Sequence, residues 1–234
     1  MKLTEEQIQE AGRLDAAGAI RLVTEWFPGK VCFSTSLGQE DQVLTDLICR
    51  HELPVRIFSL DTGRLFNEAY ELLDRTTARY KRKIALYFPE PADVETYVQD
   101  KGINGFYESV ENRKACCHIR KVLPLNRALQ GMDVWITGLR AEQSDNRQDM
   151  PLLEWDESRR LYKFNPLINW SYEEMMAYIR EWNVPYNPLH DKGFVSIGCA
   201  PCTRAIEPGE HPRAGRWWWE TSQKECGLHG VQKK

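Results

Sequence analysis

Apolar positions along the chain change their period several times, and each change marks an element. Ile8, Ala11 and Leu14, then Ile20, Val23, Trp26 and Phe27, recur at helical spacing, so residues 1–27 read as one or two amphipathic helices closed by Pro28-Gly29. A short unbroken run follows, Val31-Cys32-Phe33-Ser34, and ends in the polar turn Thr35-Ser36-Leu37-Gly38. Val43, Leu44, Leu47 and Ile48 then line one face of a helix over residues 41–50. A second apolar run at 55–60 enters Asp61-Thr62-Gly63, and another helix spans 65 to about 80. Residues 84–88 and 134–137 read as strands three and four, with helical stretches between them. Strands alternating with helices require crossover connections, which predicts an α/β fold with a mainly parallel sheet flanked by helices.

The later chain is patterned differently. Runs at 151–155 and 161–164 flank a charged turn at 156–160, which predicts a hairpin. Ser171, with Glu173 and Glu174 behind it, caps a further helix carrying Met175, Met176, Tyr178 and Ile179. Beyond Gly198 no periodicity persists, and the chain becomes rich in Pro, Gly, Arg and Trp. This divides it into an α/β domain with N-terminal helices at 1–198 and an irregular, draping or mobile C-terminal tail at 199–234.

Composition narrows the function classes. Thirty-one Lys and Arg against 34 Asp and Glu leave a net charge of -3, without the basic excess of a general nucleic-acid binder. With 42% hydrophobic residues the chain can build a core, yet it has no apolar run of bilayer-spanning length. Acidic residues near the start stand where a signal peptide would be apolar, so a soluble, unexported protein is expected.

Cysteine changes the picture most. Seven are present, an odd count that speaks against a disulfide framework in a reducing compartment. Cys199-Ala200-Pro201-Cys202 has the two-residue gap that lets both sulfurs meet one metal centre, and adjacent Cys116 and Cys117 complete a set of four. Such a set holds zinc or a [4Fe–4S] cluster, and spacing does not choose between them. Cys32 and Cys49 sit within apolar runs as small core residues. Cys226, beside Lys224 and His229, is left as the candidate nucleophile, because cationic neighbours favour the thiolate.

Two polar turns follow strands, at 34–41 and 61–63, where doubly wound sheets hold ligands. A Ser- and Gly-containing turn opening a helix offers hydroxyls and amide hydrogens to an anion. Arg140, Arg147, Arg213 and Arg216 are candidates for clamping phosphate-like oxyanions, and Trp217-Trp218-Trp219 for aromatic packing that anchors the tail.

These residues resemble the assimilatory adenylyl-sulfate (APS) reductases, close relatives of the phosphoadenylyl-sulfate (PAPS) reductases. The likeness runs from about Val31 to His229 through the modified PP-loop at 34–41, Leu60-Asp61-Thr62-Gly63, and the Cys116-Cys117 and Cys199–Cys202 pairs. It continues through residues 213–219 and the terminal Glu225-Cys226-Gly227-Leu228-His229. The resemblance implies an adenine-nucleotide α-hydrolase-like fold, with residues 1–198 as its nucleotide-binding domain. It implies a [4Fe–4S] cluster on Cys116, Cys117, Cys199 and Cys202, a cytoplasmic location and thioredoxin as reductant; a homo-oligomer is also expected. Cys226 becomes the nucleophile that forms an S-sulfonate. Ser36, Lys121, Arg147, Arg213 and Arg216 become the phosphosulfate-binding set, with Leu60 and Gly138 as backbone contacts to adenine and Ser34 and His229 as further substrate-binding residues. The expected reaction is thioredoxin-dependent reduction of APS to sulfite and AMP in sulfate assimilation. Alternatives are a PAPS reductase with the same cluster, a PP-loop adenylating enzyme with structural zinc, and a zinc-bound interaction module. The single-glycine turn and the absence of a basic surplus oppose the adenylating enzyme. An idle Cys226 opposes the interaction module.

Overall fold

The computed structural model describes residues 2–143 and 149–220. The chain begins with α1 (Glu5–Gly12), α2 (Ala16–Trp26), β1 (Val31–Thr35), α3 (Gln39–Arg50), β2 (Arg56–Leu60), α4 (Asn67–Tyr80) and β3 (Ala85–Tyr87). Then come α5 (Pro91–Lys101), α6 (Val110–Cys117), α7 (Leu123–Ala128), β4 (Val134–Ile136), β5 (Leu153–Asp156), β6 (Leu161–Phe164) and α8 (Tyr172–Glu181). The strands form one six-stranded sheet in the order β3-β2-β1-β4-β6-β5. The pairs β1–β2, β1–β4 and β4–β6 are parallel, and the predicted hairpin β5–β6 is antiparallel. No described helix is long and apolar enough to cross a membrane.

Two compact units share the chain. The first takes residues up to Ser59, then Glu71–Ala85 and Leu129–Asn187, and carries nearly all of the sheet. Its core gathers Ile20, Val23, Val31, Phe33, Leu44, Ile48, Ile136, Phe164 and Ile179, the positions that periodicity assigned to inner faces. Local chemistry starts and stops its helices. Thr4 and Ser171 each complete a capping box, with Gln7 and Glu174 respectively, and Asp15 caps α2 by accepting from Gly18 N.

The second unit collects Leu60–Tyr70, Leu86–Ala128 and the described residues from Pro188 onward. Its residues 199–220 pack with α6 around a small apolar cluster of Phe106, Cys117, Cys199, Cys202 and Trp217. Helical periodicity is blind to this segment because a bridge and tight turns hold it. Thr203 pairs with Arg216, Arg204 N donates to Gly215 O (2.9 Å), and Trp217 N donates to Cys202 O (3.2 Å).

Candidate active site

In the first unit the parallel strands β1 and β4 end side by side, and the turn after β1 closes on itself. Ser36 N and Ser36 Oγ both donate to Asp41 Oδ2, at 2.5 and 2.6 Å. Leu37 between them adopts a left-handed φ of 63°, a conformation costly for a bulky residue, and Gly38 caps α3 without a side-chain bond. Ser34 Oγ accepts from Trp135 Nε1 at 2.7 Å and so is held in place. Gly138 has no room for a side chain. A Cβ there would lie 3.2 Å from Asp41 Cγ and closer still to its Oδ1. Asp41 is thus enclosed, and burial raises its pKa to about 6 against the lowering effect of the Ser36 hydrogen bonds.

In the second unit four cysteines from two segments some eighty residues apart in the chain line one pocket with Arg64, Phe106, Arg120, Lys121 and Trp217. Cys116 and Cys117 are the last two residues of α6. The chain then widens into a π-turn, His118–Val122, which carries Arg120 and Lys121. Arg120 is buried and donates to Thr62 O at 2.7 Å, while the Thr62 hydroxyl lies 3.2 Å from Cys199 Sγ. Behind them Arg113 makes a bidentate pair with Glu220, 2.8 Å for each bond, beneath the Trp217 ring. Burial pushes the Cys116 thiol up, against the pull of Arg120. Cys202 rises to about 12, by burial first and then by Cys199, with Lys121 and Arg216 pulling the other way. Cys32 and Cys49 rise to about 12 and 11 through burial, as inert core residues do.

The pocket's chemistry suits an anionic, thiolate-ligated group. Four soft donors face it, no carboxylate is among its described lining residues, and the buried Trp217 Nε1 has no partner among the described residues. No three His, Cys, Asp or Glu side chains among the described residues stand close enough to hold a single metal ion.

Cys116, Cys117, Cys199, Cys202 and Lys121 are therefore brought together, and Arg216 lies close enough to Cys202 to act on its thiol. Arg213 shares a turn with Arg216, whose N donates to Arg213 O at 3.0 Å. Ser34, Ser36 and Gly138 gather at the carboxyl ends of β1 and β4, and Leu60 ends β2. Arg147, Cys226 and His229 lie outside the described residues. Arg140 is no free oxyanion clamp: it is buried and donates to Glu40, Glu142 and Trp170 O. Trp217 is buried and Trp219 meets Tyr107 edge to face, so these two tryptophans anchor this segment. Sequence reasoning passed over Asp41, Arg120 and Thr62, although each stands within or next to a motif already singled out.

The model of the phosphoadenosine phosphosulfate reductase domain matches residues 30–205. The adenosine 5'-phosphosulfate reductase of Agrobacterium fabrum is 52% identical over 217 residues, 92% of this chain and 83% of its own. That of Allochromatium vinosum is 56% identical over 200 residues, 85% and 78% of the two chains. A phosphate complex of the PAPS reductase from Candida auris superposes with a TM-score of 0.74 at 29% identity, covering 88% of this chain and 99% of that one. The FMN adenylyltransferase of Candida glabrata shares the fold alone, at a TM-score of 0.55 and 16% identity over 88% and 67% of the two chains. A match that spans most of the chain, joined by relatives identical at more than half of the aligned positions, establishes that the chain belongs to the phosphoadenosine phosphosulfate reductase domain family.

Proposed function

We propose that this chain reduces adenosine 5'-phosphosulfate to sulfite and AMP, with thioredoxin as reductant. The observation that carries this is the pocket where four cysteines meet Lys121 and no carboxylate stands among the described lining residues. The choice of APS over PAPS rests on relatives bearing the former name at 52 and 56% identity, against 29% for the PAPS reductase.

The Cys226 thiolate attacks the sulfate sulfur, a sulfur–sulfur bond forms, and the sulfur–oxygen bond to the phosphate breaks. AMP leaves with that electron pair and needs no acid to protonate it. A thioredoxin thiolate then attacks Cys226 Sγ, and sulfite departs with the electrons of the sulfur–sulfur bond. The second thioredoxin thiol closes the disulfide, and Cys226 is free again. Attack brings a thiolate against a polyanion, and Lys121, Arg213 and Arg216 offset that repulsion. Ser34 and Ser36 hold phosphosulfate oxygens, with Arg147 and His229 in the same binding set, while Leu60 and Gly138 offer backbone to the adenine. The four cysteines are read as ligands of a [4Fe–4S] cluster. When bound, the cluster supplies a charged centre that tunes the field around Lys121. A reducing cytoplasm keeps the thiols in the state this chemistry needs.

Comparing kcat/KM for APS and PAPS at one thioredoxin supply tests the reading, with a preference for APS of about tenfold or more expected. Equal or reversed preference would defeat it. Without thioredoxin, APS should release one AMP per site and add about 80 Da, one SO₃ group, to Cys226 alone.

A further inference from the structure

Gly198 precedes the Cys199–Cys202 pair, and its φ lies outside the left-handed region, so conformational freedom does not explain a glycine there. Space does. A Cβ on Gly198 would fall 2.5 Å from Arg216 Cζ and 2.7 Å from Nη1, with Nη2 nearer still. The guanidinium therefore lies directly against the glycine backbone, and its Cζ is 4.8 Å from the centre of the Trp217 ring. The glycine is itself pinned. Its N donates to Thr203 Oγ1 (3.2 Å), which donates to Cys199 O (2.9 Å), and Thr203 bridges to Arg216. Of the two partners in this contact, only the arginine head can give way.

Arg216 needs such a seat. It is 7% exposed, its Nε has no partner, and it makes no ion pair among the described residues. A desolvated cation without an acid partner is costly, and an anionic ligand relieves that cost. We infer that Gly198 is a positioning residue for substrate binding: its missing side chain is the seat that aims the Arg216 guanidinium at the phosphosulfate. The inference rests on the reading of Arg216 as a substrate ligand.

Gly198→Ala tests it, because the atoms displaced are the end of a flexible side chain rather than backbone. KM for APS should rise about tenfold while kcat stays within about threefold of wild type. Thermal unfolding and iron content should be unchanged. Lysine has no planar fork to seat, so adding Gly198→Ala to Arg216→Lys should change kcat/KM less than about twofold. Wild-type KM in Gly198→Ala, with a raised KM in Arg216→Ala, would overturn the inference and leave the role of Arg216 standing. Wild-type KM in Arg216→Ala would overturn both. Loss of iron in Gly198→Ala, or additive effects in the double variant, would make the glycine a support of the cysteine pocket instead and end the proposal.

Discussion

The turn after β1 and the cysteine pocket are assembled in opposite ways. The turn is contiguous, eight residues from Ser34 to Asp41, and already contains its own anion: Asp41 takes two of the donors a bound oxyanion would use. The pocket draws on Arg64, on residues between Phe106 and Lys121, and on residues between Cys199 and Trp217, and it gathers cations without an acid in its described lining. The turn meets its buried carboxylate with its own Ser36 donors. The pocket holds a buried donor, Trp217 Nε1, that meets no partner among the described residues. A self-satisfied turn holds its shape before substrate arrives, whereas an unsatisfied pocket is completed by what it binds.

Breaking the pocket should have the largest effect. Replacing Cys116, Cys117, Cys199 or Cys202 with Ser should remove iron, the broad absorption near ~400 nm and turnover together, since the ligands act as a set. Any variant that keeps full iron leaves the ligand set.

The turn should respond to pH. Asp41 carries a folded-state pKa raised from 3.8 to about 6. Its protonated form therefore contributes stability that is fully present below about 4 and lost as pH rises through about 6, with a span of about 3 kcal/mol. Asp41→Asn should flatten that decline. Urea unfolding of both proteins at several pH values between 4 and 7 would show it, and parallel profiles would mean that Asp41 is not the group responsible.

A smaller effect sharpens the contrast. Arg213→Lys and Arg216→Lys keep the charge but lose the paired fork, and each should lower kcat/KM about tenfold, worth about 1.4 kcal/mol. Wild-type kinetics in both would return these arginines to ordinary surface or packing roles.

Much of this protein was legible in short windows of sequence. The alternation of strands and helices, the charged turn of the β5–β6 hairpin and the Ser171 cap each depend on a few neighbouring residues, and each stands where it was expected. The Cys199–Cys202 spacing and the turn after β1 could likewise be read locally. Tertiary structure alone decided the rest. That β6 adds to β4 in parallel, that residues 199–220 pack against α6, that Asp41 is enclosed beside Gly138 and that Arg216 rests on Gly198 are contacts between segments distant in the chain. Periodicity and turn chemistry report the backbone preferences of adjacent residues. Burial, and the charges and hydrogen bonds it strengthens, depends on which remote segment covers them, and that is settled only when the chain has folded.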